Sequence, residues 1–141
     1  MAEISVANLK VLLVDDHAVI RMQLEGFLRA LGCQHVDQAP NVAEATQKMA
    51  ATPYQIIFLD WNMPGRSGYN LLSQCREDRA YDGVAFVICS SESENRYIIE
   101  ALKAGATSYL VKPVNEAMFK EHLQKVLSWI ERRNASVQRT A

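Results

Sequence analysis

Short apolar runs alternate with longer amphipathic segments along most of the chain. The runs at 10–14, 55–59, 84–89 and 108–111 are almost continuously apolar, a pattern typical of strands buried on both faces of a sheet. A shorter strand is predicted at 36–39. Each strand is followed by a segment with apolar residues every three or four positions, which predicts an amphipathic helix.

Capping residues mark the ends of these predicted helices. Asn41 and Ser91 are each followed three positions later by glutamate, the pattern of a capping box, and Asn115 is a further candidate cap. Gly32 and Gly105 stand where two of the helices should end. The predicted helices begin at Ala18, Asn41, Gly68, Ser91 and Asn115.

Five strand–helix units in series predict an α/β fold with a doubly wound, five-stranded parallel sheet and five helices on its two faces. Residues 132–141 are polar and lack periodicity, and we expect them to form a frayed, flexible tail. No segment remains for a second, DNA-binding domain.

Composition narrows the class of protein further. The 141 residues include 15 basic and 16 acidic side chains, and this balance favours neither nucleic acid nor an anionic membrane as a partner. No apolar run approaches the ~18 residues of a membrane span, so we expect no membrane insertion. The first residues do not resemble a secretory signal, and three widely spaced cysteines suit a reducing compartment. We expect a cytoplasmic protein.

Polar residues that could bind a ligand or take part in a reaction follow four of the predicted strands. Asp15 and Asp16 follow the first, Asp60 the third, Ser90 the fourth and Lys112 the fifth. In open α/β sheets, ligands bind outside the carboxyl ends of the strands, so these side chains should meet at one edge.

Three clustered carboxylates repel one another unless a cation lies between them, and an all-oxygen site suits Mg²⁺. With Lys112, such a cation would neutralise phosphoryl oxygens. Ser90 can donate a hydrogen bond to the phosphoryl group, and one carboxylate is free to act as a nucleophile. His17 follows the acidic pair, but the carboxylates suit a hard cation without it.

The pattern resembles the receiver domain of bacterial two-component response regulators, and among them the single-domain chemotaxis proteins. The resemblance covers residues 8–131 and implies the sheet order 2-1-3-4-5. It implies that Asp60, within the motif Asp-Trp-Asn-Met-Pro, is the phosphoacceptor, and that Asp15, Asp16, Asp60 and the backbone carbonyl of Asn62 hold Mg²⁺.

The resemblance extends to the groups around the phosphoacceptor. Ser90 and Lys112 match the residues that bind the phosphoryl group, and Pro113 matches a proline that follows a cis peptide bond. Tyr109 matches an aromatic residue that switches position on phosphorylation. Glu92, together with Asn62, flanks the site and is expected to tune the access of water to the phosphoryl group.

The chain also departs from the family pattern. Receivers commonly carry Met-Asp-Gly where this chain has Arg66-Ser67-Gly68, so Arg66 is a candidate for altering access to Asp60. Ser90 stands where threonine is commoner and keeps the hydroxyl group.

The resemblance implies a phosphorylation-dependent switch that receives its phosphoryl group from a histidine kinase. Output is expected through the surface of the fourth helix, fifth strand and fifth helix, to a flagellar-motor switch protein or a histidine-containing phosphotransfer protein. Alternatives are a relay intermediate or phosphate sink, a Mg²⁺-dependent phosphatase, a nucleotide- or flavin-binding module, and a structural adaptor. A phosphatase usually carries a second acid where this chain has Asn62, and Asp15 and Asp16 would repel a nucleotide phosphate.

Overall fold

The computed structural model describes residues 5–63 and 67–140, and these form one parallel sheet flanked by helices. The strands lie in the order β2-β1-β3-β4-β5, which confirms the predicted fold class and sheet order. Their bounds are β1 (Lys10–Val14), β2 (His35–Ala39), β3 (Ile56–Leu59), β4 (Ala85–Ser90) and β5 (Ser108–Val111). β4 ends one residue later than predicted, so Ser90 is its last residue.

Five α-helices connect and follow the strands, as predicted. They are α1 (Ala18–Ala30), α2 (Val42–Ala51), α3 (Gly68–Arg76), α4 (Asn95–Lys103) and α5 (Glu116–Thr140). Two short 3-10 helices, Val6–Asn8 and Arg79–Tyr81, were not predicted. None of the helices in the described part of the chain is long and apolar enough to cross a membrane.

The core consists of two layers, because successive residues of a strand point to opposite faces of the sheet. Val11 and Leu13 of β1 belong to the layer covered by α1 and α5, in which Phe119 stacks on Phe58 with ring centroids 5.3 Å apart. Leu12 belongs to the layer covered by α2, α3 and α4. With both faces covered, the carboxyl edge of the sheet is left to form a site.

Most of the predicted caps are present. The side chain of Asn41 accepts a hydrogen bond from the backbone of Glu44, and that of Asn115 accepts one from Met118, both at 2.8 Å. Gly32 and Gly105 have φ angles of 99° and 109°, in the left-handed region that ends a helix.

The capping box predicted at Ser91 is wrong. α4 begins at Asn95, with Glu94 as its N-cap residue and no side-chain cap bond. The hydroxyl group of the preceding residue explains the delay, because Ser90 Oγ accepts a 3.1 Å hydrogen bond from the backbone N–H of Glu92. This turn directs residues 90–92 away from a helical path.

The structure places most of the segment expected to form a flexible tail, residues 132–141, in α5, which continues to Thr140. The flexibility of this segment stays a prediction. Helix extension adds one hydrogen bond per residue once a first turn is anchored. Phe119 and Val126 anchor α5 in the core. No proline or glycine follows before Thr140, so nothing in the sequence stops the helix.

Candidate functional site

Four strands bring the predicted site residues to the carboxyl edge of the sheet. Backbone hydrogen bonds continue just past the strand ends: Asp15 donates to Ala39 at 3.2 Å, and Asp60 donates to Val14 at 2.9 Å. On the other side of the site, the backbone N–H of Lys112 donates to the carbonyl of Ser90 at 2.8 Å. These bonds fix the backbones from which the functional side chains project.

Lys112 links the two buried carboxylates. Its Nζ lies 2.8 Å from Asp15 Oδ2 and 3.6 Å from Asp60 Oδ1. Burial alone would lower the pKa of Lys112, but the hydrogen bond to Asp15 and the charges of Asp60 and Asp15 outweigh it and raise this pKa. The ammonium group is therefore a fixed positive charge beside Asp60. The peptide bond that follows, Lys112–Pro113, is cis, the geometry that the resemblance implies.

Asp60 is a buried carboxylate with a perturbed pKa. Burial, followed by the charge of Asp15, raises its pKa from 3.8 to about 6, while Lys112 acts in the opposite direction. Among the described residues, the backbone N–H of Asn62 donates a long, 3.4 Å hydrogen bond to Asp60 Oδ1. At neutral pH this group is mostly ionised and weakly solvated, as a carboxylate nucleophile should be.

Asp16 completes an acidic cluster that fits a cation. Ligand atoms of Asp15, Asp16, His17 and Asp60 all lie within 4.8 Å of one another. Asp16 Oδ1 is buried and accepts no hydrogen bond from the described residues, although His17 Nδ1 lies 3.2 Å away. A buried carboxylate oxygen without a hydrogen bond costs free energy, and a bound cation would remove that cost. The donor set is mainly carboxylate oxygen, which suits Mg²⁺.

A polar network that the sequence did not indicate holds the backbone of Asp15 in place. Arg21 of α1 donates to the Asp15 carbonyl at 2.6 Å and to Gln38 of β2 at 2.9 Å. Gln38 in turn donates to Glu25 at 3.0 Å. No sequence pattern pairs α1 with β2 in this way, although the placement of Arg21 one turn into the helix after the acidic pair is a weak signal.

Ser90, Glu92 and Tyr109 form a connected group at the ends of β4 and β5. Ser90 is buried and accepts the hydrogen bond from Glu92 described above. Tyr109 is 9% exposed and donates from its hydroxyl group to the carbonyl of Glu92 at 2.7 Å. Burial raises the pKa of Tyr109, so its hydroxyl group keeps its proton. The aromatic ring thus lies inside the molecule, attached to the loop that leaves the site.

The loop after Asp60 is anchored by two residues that sequence reasoning missed. Trp61 and Met63 are buried, and Trp61 contacts Tyr69 edge to face at 5.4 Å. Asn62 between them is exposed. The alternation of apolar and polar residues at 61–63 was an available signal. Arg66, predicted to alter access to the site, lies outside the described residues.

Cys89 precedes Ser90 but contributes no nucleophile. Burial raises the pKa of its thiol to about 12, so the thiol stays protonated. Its prediction as a small core residue is confirmed by an exposure of 1%.

Most of the chain, and not only its site, matches one family. Residues 11–124 match the model of the response regulator receiver domain. The chain belongs to the response regulator receiver family. Receivers are components of two-component signalling systems, so the resemblance noted in the sequence is confirmed at the level of the family.

Relatives within this receiver family include chemotaxis proteins. CheY-3 of Vibrio cholerae serotype O1 is 34% identical over 119 residues, which is 84% of this chain and 92% of the relative. CheY1 of Helicobacter pylori is 33% identical over 120 residues, 84% of this chain and 97% of the relative. The solved structure of the chemotaxis response regulator CheY4 of Vibrio cholerae superimposes with a TM-score of 0.78, at 30% identity, over 84% of this chain and 98% of the other.

Proposed function

We propose that this receiver is a phosphorylation-dependent switch in which Asp60 accepts a phosphoryl group from a histidine kinase. The observation that carries the proposal is the ammonium group of Lys112, held between the buried carboxylates of Asp15 and Asp60. A cation fixed next to a poorly solvated carboxylate both stabilises the nucleophile and neutralises the charge of an incoming phosphoryl group.

The transfer forms a bond between a carboxylate oxygen of Asp60 and phosphorus. The bond between phosphorus and the donor imidazole nitrogen breaks, and that nitrogen keeps the electron pair. Phosphoryl transfer depends mainly on positioning and on charge neutralisation. Asp60 is positioned by its backbone hydrogen bond to β1, and Lys112 by its hydrogen bond to Asp15.

The acidic cluster fits the Mg²⁺ that the family implies. Asp15, Asp16, Asp60 and the backbone carbonyl of Asn62 would hold it, and the unpartnered Oδ1 of Asp16 supports this assignment. When bound, Mg²⁺ supplies positive charge to the phosphoryl oxygens. On the opposite side, Lys112 and the hydroxyl group of Ser90 are the donors that this chain offers to the same oxygens.

Tyr109 provides a route from Asp60 to the surface. Ser90 accepts the hydrogen bond of Glu92, and Glu92 accepts the hydrogen bond of Tyr109. If Ser90 turns its hydroxyl group to a phosphoryl oxygen, this chain of bonds changes, and with it the relative populations of two arrangements of the 90–94 loop. The surface formed by α4, β5 and α5 would then change its affinity for a partner.

The partner is proposed from the relatives. Both CheY-3 and CheY1 are chemotaxis proteins, so a flagellar-motor switch protein is the first candidate. A histidine-containing phosphotransfer protein is the second, in which case the receiver acts as a relay intermediate. No contact among the described residues favours the Mg²⁺-dependent phosphatase considered from the sequence.

Incubation with acetyl phosphate and Mg²⁺ tests the phosphoacceptor. Intact-protein mass spectrometry should show a gain of one phosphoryl group that Asp60→Asn abolishes and Asp78→Asn retains. Asp78 is a matched control because it caps a 3-10 helix by accepting from Ala80, a bond that asparagine also accepts. Phosphorylation that persists in Asp60→Asn would show that the phosphoacceptor is another residue.

A further inference from the structure

His17 places an imidazole nitrogen at the acidic cluster, which the proposed Mg²⁺ site does not use. Its Nδ1 lies 3.0 Å from Asp15 Oδ1 and 3.2 Å from Asp16 Oδ1. Both of these carboxylates belong to the acidic cluster, and they immediately precede His17 in the chain. No other histidine contributes a ligand atom to a cluster of this kind in the part of the chain that the structure describes.

We propose that His17 is a nitrogen ligand of this metal site and shifts its preference from Mg²⁺ toward Co²⁺ and Ni²⁺. The proposal rests on the proposed function, because it requires the cation site at Asp15, Asp16 and Asp60. Imidazole nitrogen favours these transition metals, whereas Mg²⁺ favours oxygen.

The distances fit neighbouring positions of one coordination sphere. For metal–ligand bonds of ~2.1 Å in an octahedron, adjacent ligand atoms are ~3.0 Å apart. The separations of His17 Nδ1 from the oxygens of Asp15 and Asp16 are close to that edge length. These separations allow the nitrogen and both oxygens to bind one ion, in the neutral tautomer of His17 that carries its hydrogen on Nε2.

The side chain of His17 does not cap α1, although His17 is the N-cap residue. His17 is the N-cap residue of α1, with φ −97° and ψ 110°, but its side chain makes no cap hydrogen bond. Its backbone N–H instead donates to Asp15 Oδ1 at 2.9 Å. The imidazole is thus left free of the helix and directed at the carboxylates.

Two carboxylate oxygens face His17 and not Lys112. Oδ2 of Asp15 accepts the hydrogen bond of Lys112, while its Oδ1 faces His17. Oδ1 of Asp16 has no hydrogen-bond partner among the described residues. The cluster therefore divides into an ammonium side at Lys112 and an imidazole side at His17, with the acidic oxygens between them.

A competing role for His17 predicts a different result. Its side chain is 64% exposed, and the contact to Asp15 can serve as a simple hydrogen bond in the metal-free protein. In that role the imidazole would compete with any cation, and its removal would strengthen the binding of Mg²⁺ and Ni²⁺ alike. A ligand role predicts that its removal weakens Ni²⁺ binding selectively.

Isothermal titration calorimetry of tag-free protein with Mg²⁺ and with Ni²⁺ separates these roles. We expect His17→Ala to lower the ratio of Ni²⁺ affinity to Mg²⁺ affinity by about tenfold or more, the usual effect of losing support at a metal site. His35→Ala is the matched control, because His35 is an exposed histidine at the start of β2, at the opposite edge of the sheet. That variant should keep the wild-type ratio.

The visible absorption spectrum of bound Co²⁺ gives a second readout. Its ligand-field bands should differ between wild type and His17→Ala, because a nitrogen ligand is replaced by water. An unchanged affinity ratio with unchanged bands, or tighter binding of both metals in His17→Ala, would overturn the inference while leaving the proposed function intact. If wild-type protein binds neither Mg²⁺ nor Ni²⁺, the proposed function loses its metal site as well.

Discussion

Gly68 packs directly against the backbone carbonyl of Asp60 and leaves no room for a side chain between them. A Cβ built on residue 68 would overlap the Asp60 carbonyl oxygen and approach its carbonyl carbon to 3.1 Å. The same Cβ would lie 3.2 Å from Leu59 Cγ. The first residue of α3 therefore rests on the backbone of the proposed phosphoacceptor, so a change at one must displace the other.

Gly68→Ala should destabilise the protein and slow its phosphorylation. The clash is with backbone, which cannot rotate away, and we expect a loss of about 2–4 kcal/mol in the free energy of unfolding. Urea denaturation measures the loss, and acetyl phosphate labelling measures the rate at Asp60. Gly26→Ala is the control, because a Cβ there meets nothing within 4 Å and the residue lies in an exposed part of α1.

The Gly26→Ala control should show a higher free energy of unfolding, the opposite of the change expected for Gly68→Ala. Alanine is a better helix former than glycine by about 1 kcal/mol, so Gly26→Ala should be slightly more stable than wild type. Equal stabilities of the Gly68→Ala variant and the wild type would show that the chain at 60–68 relaxes easily, contrary to this account.

Arg76 is predicted to be a major contributor to stability, although it is distant from the site. Its guanidinium donates to the carbonyls of Gly105, Tyr81 and Val84 at 2.9, 2.7 and 2.9 Å, and burial lowers its pKa. Arg76→Met would remove this donor from all three carbonyls, although the carbonyl of Tyr81 keeps a 3.1 Å hydrogen bond from the backbone N–H of Val84. We expect a loss of about 3 kcal/mol in urea denaturation.

Arg79→Met tests whether loss of any arginine in this region has the same effect. Arg79 is exposed, and its replacement should change the free energy of unfolding by no more than about 0.5 kcal/mol. A small effect at Arg76, similar to that at Arg79, would mean that water replaces the guanidinium at little cost.

Local chemistry explains why the sequence predicted so much of this fold. The strands are continuous apolar runs, and Asn41, Asn115, Gly32 and Gly105 mark helix ends with side-chain or backbone properties that act over a few residues. The prediction failed at Ser91, where the same kind of local signal was present. There the hydroxyl group of Ser90 took the backbone hydrogen bond first.

Long-range pairings could not be predicted from sequence patterns. Arg76 contacts Gly105, which is 29 positions away in the chain, and nothing in either residue indicates the other. The same is true of Arg21 and Gln38. The meeting of Lys112 with Asp15 was predictable only because parallel strands place their carboxyl ends at one edge.

The hydrogen bond from Tyr109 to Glu92 should hold the loop that follows β4. Tyr109→Phe removes the hydroxyl group while keeping the ring in the core, and we expect a loss of about 1 kcal/mol. Hydrogen–deuterium exchange should become faster at residues 90–94. Tyr97→Phe is the control, because that hydroxyl group accepts an exposed hydrogen bond from the side chain of Arg96 and does not bond to the 90–94 loop among the described residues. Unchanged exchange in Tyr109→Phe would show that the bond does not restrain the loop.

The raised pKa of Asp60 predicts how stability depends on pH without divalent metal. Because its folded pKa is about 6 and its reference value is 3.8, the folded state binds the proton more tightly than the unfolded state. This group therefore stabilises the fold less and less as the pH rises between these values, and its effect levels off above about pH 6. One pKa unit corresponds to about 1.4 kcal/mol, so the full loss is roughly 3 kcal/mol.

Asp60→Asn isolates this contribution, since asparagine does not ionise. In urea denaturation with a chelator present, the variant should be more stable than wild type near about pH 7, by roughly 3 kcal/mol, and the difference should shrink toward about pH 4. Subtracting the two free energies of unfolding removes the pH dependence that other groups contribute to both proteins. One such group is Glu25, whose pKa is lowered by its hydrogen bond to Gln38. A difference that stays constant across this range would mean that Asp60 titrates at its ordinary value.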